Sequence, residues 1–329
     1  MKGCFMNRVL VENYGPPEVL TVKISDPPDA GPGPGEVLVK VFRAGVNPVD
    51  TYRRSGTQGY SPDLPFCPGF EASGVIEALG PDISLKHLKI GQPVYLGWST
   101  TGTYGQWCIV KAEHVFPLPK ELNYQQGAGL FIPYFTGYRA LKIIGSAQSD
   151  SKVLVHGASG SVGMAIIQWA NYFAIPVWGT AGSEESYGEI LDHGAQGCFF
   201  HNTPGYLDEI KDKQLTFDLI IEMNAHIGLE TDLDLLKPSG KIVIVGSRGT
   251  TEITPRKLMG SETLIQGVSL ARSSTKELWE THEQLVKAAK KGYVKPRIAI
   301  ELPLDYAYLA HRLVMESPSK GKIILNTEG

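Results

Sequence analysis

Val153-Leu-Val-His-Gly-Ala-Ser-Gly-Ser-Val-Gly163 is the stretch that decides the fold. A short apolar run leads into Gly157-x-x-Gly160-x-x-Gly163, and the largely apolar segment Val162 to Ala174 follows as a helix. Glycines spaced this way mean little alone. Between a strand and a helix they let the backbone turn tightly and approach a pyrophosphate, which the helix N-terminus receives with free N–H groups and partial positive charge. A purely structural strand-to-helix turn is the alternative, and the alternation downstream argues against it. Pro176-Val-Trp-Gly-Thr180 reads as the next strand and Tyr187 to Asp192 as a helix stopped at Gly194. Phe217-Asp-Leu-Ile-Ile-Glu222 and Lys241-Ile-Val-Ile-Val245 are two further buried strands, and Lys276 to Lys291 is an amphipathic helix with Leu278, Leu285 and Ala288 on one side. Strands and helices in this order predict a Rossmann-type doubly wound parallel sheet, an α/β fold.

Upstream the texture differs. Val37 to Phe42, Gly74 to Leu79, Gln92 to Leu96 and Gly105 to Val110 are short strands punctuated by Gly and Pro, which predicts a barrel-like β domain. Met1 to Val11 lacks the long apolar centre of a secretory signal and reads as a first strand. Gln125 to Ile143 is helix-compatible but broken by Pro133. The tail strand Lys322-Ile-Ile-Leu325 is expected to rejoin the first domain, giving residues 1–125 and 292–329 to the β domain and 126–291 to the dinucleotide-binding domain.

Bulk properties exclude several classes. The 329 residues suffice for about two domains. A net charge of −3 offers no field for nucleic acid or anionic membrane, and no apolar run is long enough to span a bilayer. Cys4, Cys67, Cys108 and Cys198 form no CxxC pair, which points away from a disulfide framework or thiolate zinc site and towards a reducing, cytoplasmic setting.

The loop residues Ser159, Gly160, Ser161, Val162 and Gly163 are the expected pyrophosphate cradle. An NAD site usually ends its second strand, about 20 residues on, with Asp or Glu for the ribose 2′-hydroxyl. Here Thr180, Gly182 and Ser183 leave room for a 2′-phosphate, so NADPH is the expected cofactor, with His201 one candidate partner for that phosphate. Val245, Gly246, Ser247 and Arg248 leave a buried strand at its C-terminal end, where open α/β sheets bind ligands. Arg248 either meets a phosphate or ring, or is a solvated loop arginine. Val268, Ser269 and Leu270 form the next turn on that edge, with plain strand packing as the alternative. His156 reads as a satisfied core histidine, and neither a Ser/His/Asp triad nor HExxH is found.

Gly45 to Gly56, Pro65 to Val75, Ile132 to Leu141 and His156 to Gly163 together resemble the medium-chain dehydrogenase/reductase superfamily, and within it the zeta-crystallin group of NADPH:quinone oxidoreductases. Glu222-Met223, Val245 to Thr250 and Ser273 to Glu277 strengthen the narrower resemblance. It implies a GroES-like catalytic domain beside the Rossmann domain, an active site in the cleft, a homodimer or homotetramer, and reduction of ortho-quinones. Zinc-dependent members carry a Cys in the segment matching Val46-Asn47 and a His within Gly-His-Glu. This chain has Asn47 and Gly69-Phe70-Glu71, and it lacks the four-cysteine lobe between Tyr95 and Gly105. Without a Lewis-acid metal it needs a substrate that already accepts hydride readily.

The resemblance further implies that Asn47, Asp50 and Tyr52 line the nicotinamide and substrate site. Tyr52 can donate to a carbonyl oxygen gaining charge, or pack with its hydroxyl tied to backbone. Asn47 can donate similarly; Asp50 can fix its neighbours or cap a helix. Thr136 is expected near the nicotinamide, with helix packing as its alternative. Two competing readings remain: an enoyl or alkenal reductase of the same superfamily, and a non-catalytic crystallin or RNA-binding role, the latter disfavoured by the absence of a basic, aromatic-interleaved patch.

Overall fold

The computed structural model describes residues 6–25, 31–57, 59–83, 88–316 and 321–328. Cys4 and residues 1–5 of the expected first strand lie outside the described residues. The chain divides into two compact units, Met1–Ile132 with Pro296–Gly329, and Pro133–Lys295.

The first unit is built on a seven-stranded sheet. The long strand Glu36–Val46 pairs antiparallel with Glu71–Leu79, Trp107–Lys111 and Lys322–Asn326. Pro93–Gly97, Val115–Pro117 and Ile298–Pro303 complete it, and Met6–Val11 with Leu20–Ser25 forms a separate two-stranded ribbon. The core is filled by β-branched residues, Val37, Val39, Val41, Val94, Val110 and Ile76 among them, which suit a pleated, buried surface. The C-terminal strand joins this unit, so the second unit is an insertion.

The second unit is a six-stranded, all-parallel sheet. Its order is Gly197–Phe200, Val177–Ala181, Val153–Val155, Phe217–Glu222, Leu236–Ile244, Leu264–Gly267. In chain order that is 3-2-1-4-5-6, the arrangement that places a dinucleotide at the reversal between its first and fourth strands. Helix Ser161–Tyr172 leaves the glycine loop with Met164, Ile166, Ile167 and Trp169 buried. A strand at Gly197–Phe200 and helices at Tyr206–Asp212, Ala225–Asp232 and Pro255–Ser261 were not foreseen from periodicity. The hydrophobic patterns of these short segments repeat too few times to register.

The expected helix Gln125–Ile143 is resolved into pieces. A single turn, Tyr124–Gly127, is followed by wide π-type turns at Phe131–Phe135 and Arg139–Ile144, with Thr136–Tyr138 between them. The Gly145 N–H donates to Ala140 O, five residues back. Pro133 has no N–H to donate and its ring crowds the preceding turn, which disfavours a regular α-helical ladder there. No helix among the described residues is long and apolar enough to cross a membrane.

Candidate active site

In the second unit the three motif glycines hold three different positions. Gly157 sits at φ +60°, a left-handed conformation that side chains rarely adopt. Gly163 packs against the loop itself: a Cβ there would lie 2.5 Å from Gly157 O and 2.6 Å from Ala158 Cα. At Gly160, the N-cap of helix Ser161–Tyr172, φ is −71° and a Cβ would meet only Gly157 O, at 3.5 Å. The conformation there suits any residue, and the space before the helix N-terminus is open. This arrangement fits a pyrophosphate approaching the N–H groups of Ser161 and Val162.

Several expected cofactor contacts are engaged elsewhere. Thr180 is fully buried, and its Oγ1 accepts the Gly157 N–H at 3.0 Å while its carbonyl accepts the Ala158 N–H. It shapes the glycine loop and does not reach outward to a phosphate. The Ser183 hydroxyl caps helix Glu184–Asp192, accepting the Ser186 N–H at 3.3 Å. Gly182 faces His201, whose Nε2 would stand 3.2 Å from a Cβ there. Desolvation and the charge of His156 hold the His201 imidazole below its ordinary range, so at neutral pH it offers a neutral donor and not a cation. His201 lines a cavity of about 460 Å³ with Asn202, Tyr206, Lys211 and Asp234, to which no residue of Gly157–Gly163 contributes.

On the other side of the reversal, the strand Leu236–Ile244 delivers Val245 to Arg248. Val245 N–H donates to Glu222 O, and Arg248 N–H donates to His226 Nδ1 at 3.2 Å. A Cβ on Gly246 would lie 2.5 Å from Met223 O, so this turn also requires close backbone approach. The Val268 N–H donates to Ile244 O, continuing the parallel ladder past the last strand, and Ser269 and Leu270 open a short 3₁₀ turn. Thr136 is buried at the start of its single α-helical turn.

In the first unit, Asn47 ends the strand Glu36–Val46 in extended conformation, and Pro48 opens helix Pro48–Ser55, which Gly56 closes at φ +68°. This is the expected grammar of a short helix. Asp50 Oδ2 accepts the Asn47 N–H at 2.8 Å, the reciprocal half of a capping box. The Asn47 side chain turns inward instead. Its Nδ2 donates to Glu71 Oε1 at 2.9 Å, and its Oδ1 accepts from Lys322 Nζ at 2.6 Å. Lys322 also donates to Glu71 Oε1, and Glu71 Oε2 accepts the Ile132 N–H at 2.7 Å. Three strand ends bring these groups together, since Glu71 pairs with Gly45 and Ile323 with Val46. Asn47, Glu71 and Lys322 are all buried.

Asp50 belongs to a second buried chain. Tyr104 donates from its hydroxyl to Asp50 Oδ2 at 3.2 Å and lies 3.1 Å from His311 Nε2. Burial pushes the Asp50 carboxyl up to about 7, against the Asn47 N–H bond and the charge of Lys322. Burial and the charge of Arg54 push His311 down to about 3, so it is neutral. Glu71, Lys322, Tyr104 and His311 carry no local motif, and the sequence reading did not find their roles. Tyr52 lies two residues on, half-buried, its ring 5.6 Å from that of Tyr60. No hydrogen bond of its hydroxyl is found among the described residues. Phe70, in the Gly69-Phe70-Glu71 segment, lies under the Arg53 guanidinium, whose carbon stands 4.7 Å from the ring centroid.

Comparison with known proteins bears on both units. Residues 33–120 match the alcohol dehydrogenase GroES-like domain, and residues 161–288 match the zinc-binding dehydrogenase family. The chain is 44% identical over 326 residues to a mouse quinone oxidoreductase and 41% identical over 324 residues to a human one, covering 97% of each chain in both cases. It superposes on the crystal structure of Escherichia coli quinone oxidoreductase complexed with NADPH with a TM-score of 0.87, at 26% identity, over 97% of this chain and 99% of that one.

Proposed function

The chain belongs to the quinone oxidoreductase group of the medium-chain dehydrogenase/reductase superfamily, and we propose that it is a zinc-independent, NADPH-dependent reductase of quinones, ortho-quinones in particular. The observation that carries this reading is the occupancy of the polar corner at Asn47. Where zinc-dependent relatives place metal ligands, this chain has an amide already bonded to Glu71 and Lys322, and an aromatic ring under Arg53. A buried ammonium in hydrogen-bond contact with Asn47 disfavours a second cation beside it. The substrate must therefore accept hydride without metal polarisation, as a quinone does. The two mammalian relatives carry the same name over nearly their whole length.

The dinucleotide reading rests on the Gly157–Gly163 loop, whose open face at Gly160 fits a pyrophosphate. When bound, NADPH supplies the hydride. The N–H groups of Ser161 and Val162 would hold its pyrophosphate, and Gly246 to Arg248 would close over the same edge. Gly182 and His201, with no carboxylate ending the second strand, favour a 2′-phosphate over a bare ribose. Tyr52 is the residue that acts on the substrate in this reading: its hydroxyl, unbonded among the described residues, donates to the quinone oxygen as negative charge develops there. Asn47, with Asp50 bracing its backbone, holds the start of the helix that carries Tyr52. We place the protein in the cytoplasm as a homodimer or homotetramer, which sedimentation of the purified chain would check.

The test follows dihydronicotinamide oxidation with an ortho-naphthoquinone, using NADPH and NADH, with and without a zinc chelator. NADPH-preferring turnover insensitive to chelation supports the reading. Turnover of an alkenal alone would redirect it to carbon–carbon double-bond reduction, and loss on chelation would overturn the metal-free assignment.

A further inference from the structure

A buried ionic cluster that the proposed chemistry does not use lies directly behind the glycine loop. His156 leaves the strand Val153–Val155 immediately before Gly157, Glu222 ends the neighbouring strand Phe217–Glu222, and Asp232 ends helix Ala225–Asp232. All three are buried, Asp232 completely. His156 Nε2 stands 2.8 Å from Asp232 Oδ1 and 3.9 Å from Glu222 Oε2. One imidazolium thus faces two carboxylates, and cannot neutralise both. Asp232 Oδ2 is buried with no hydrogen-bond partner, while Glu222 Oε1 accepts the Asn224 N–H at 2.5 Å. A proton on Glu222 would give Asp232 the donor it lacks and remove the repulsion between the two acids.

Two titratable neighbours, Tyr206 and His201, are uncharged at neutral pH, and Lys211 on the Tyr206 helix pairs with Asp234. From helix Tyr206–Asp212, Tyr206 faces both carboxylates, and burial together with their charge lifts its phenol to about 12, so it stays neutral. His201, beyond strand Gly197–Phe200, is held neutral in part by His156. The cluster is tied to the segments expected to hold the dinucleotide. A Cβ on Gly157 would lie 3.5 Å from the Met223 side chain, next to Glu222, and the Glu222 carbonyl accepts the Val245 N–H.

We infer that the Glu222 carboxyl, facing Asp232 and His156 behind the Gly157–Gly163 loop, sets dinucleotide affinity through one proton, so that cofactor binds more tightly to the protonated cluster. The inference rests on the dinucleotide reading of that loop. With the proton the cluster is neutral overall; without it a buried negative charge stands behind a site for an anion. Burial lifts the Glu222 carboxyl to about 7, with Asp232 adding to the shift and His156 opposing it, which puts the change near neutral pH. Asp232 and Glu222 in turn outweigh the burial of His156 and hold its imidazole up at about 9, so it stays charged across that range. A unit charge about 10 Å from an anion, at an effective dielectric constant of about 20, changes affinity by roughly tenfold before screening by salt.

The experiment measures NADPH and NADH dissociation constants for the full-length protein at about pH 6 and about pH 8.5 by quenching of intrinsic fluorescence. Both should weaken by roughly three- to tenfold on going to the higher pH. In Glu222→Gln both should stay at the wild-type low-pH value. Asp232→Asn, which also removes the second negative charge, should lose the slope too and serves if Glu222→Gln does not fold, as judged by circular dichroism. A slope seen with NADPH but not NADH would assign the proton to the 2′-phosphate and overturn the inference. An unchanged slope in both folded variants, or pH-independent binding in the wild type, would overturn it while leaving the cofactor reading intact. Failure to bind either dinucleotide at any pH would overturn both.

Discussion

The glycine loop of the second unit and the Asn47 corner of the first are opposite solutions to holding a polar site. The loop works through backbone: Gly157, Gly160 and Gly163 are needed for conformation, space and packing, within seven consecutive residues. The corner works through buried side chains, Asn47, Glu71 and Lys322, brought together from three strand ends across 275 residues of chain. The loop leaves its N–H groups open at a helix N-terminus, whereas the corner closes its own hydrogen bonds and shows little polar surface. A site meant to receive an anion can rest on unsatisfied donors. A site made of buried charges must satisfy them internally or unfold.

The sharpest way to break this contrast is Lys322→Met. It removes the only ammonium bonded to Glu71 among the described residues and leaves that carboxylate buried and unpaired. We expect a loss of about 3–5 kcal/mol of unfolding free energy, measured by urea denaturation. Lys322→Met combined with Glu71→Gln should recover much of it, because no charge is then stranded. Equal losses in the single and double variants would mean that Lys322 acts through packing of its stem.

The loop makes an internal prediction. Gly163→Val drives a side chain into Gly157 and Ala158, and should cost about 1–3 kcal/mol of stability. Gly160→Val, three residues earlier, meets open space at ordinary φ and should leave the unfolding midpoint nearly unchanged. It should nevertheless weaken NADPH binding by roughly tenfold or more, since the branched side chain fills the space the pyrophosphate would occupy. NADPH affinity unchanged in Gly160→Val would move the pyrophosphate elsewhere.

The same contrast explains what was legible in the sequence. The loop could be read because its structure lies in a local spacing of residues with special backbone properties, set between a strand and a helix. The parallel character of the sheet followed from the alternation of elements, whereas its edge strand Gly197–Phe200 did not. At the corner, helix capping by Asp50 was legible as one of two roles, because capping is also local, but the helix Pro48–Ser55 itself was not foreseen. That the Asn47 side chain turns away from the helix to Lys322 was not legible, nor was the Asp50–Tyr104–His311 chain: such contacts depend on strand register, which one sequence does not display. Where the Thr180 and Ser183 hydroxyls turn was not legible for a related reason. A small hydroxyl residue at a strand end suits a phosphate, a loop N–H or a helix cap equally well, and here the backbone had the nearer claim.

A smaller effect is expected at Tyr52, which sharpens the comparison by asking whether the corner acts chemically at all. Tyr52→Phe keeps the ring against Tyr60 and removes only the hydroxyl. Quinone turnover should fall by roughly tenfold or more with NADPH affinity and thermal stability unchanged. Unaltered turnover would reduce Tyr52 to a packing residue.

The gentlest probe is the pH dependence of stability at Asp50. Its carboxyl has an ordinary value of 3.8 when exposed and stands at about 7 in the fold, chiefly because burial penalises the charged form. The folded protein therefore holds this proton more tightly than the unfolded chain does. The resulting stabilisation is complete below about pH 4 and is lost progressively as the pH rises through about 7. Asp50→Asn has no proton to lose, and its amide oxygen can still accept the Asn47 N–H and the Tyr104 hydroxyl. Relative to the wild type, the variant should therefore gain stability steadily between about pH 4.5 and about pH 8, in paired urea titrations. A constant difference between the two proteins would show that the carboxylate is solvated or compensated in solution. The chain of buried groups next to the corner would then be less closed than its hydrogen bonds make it, and the contrast with the open loop would weaken there.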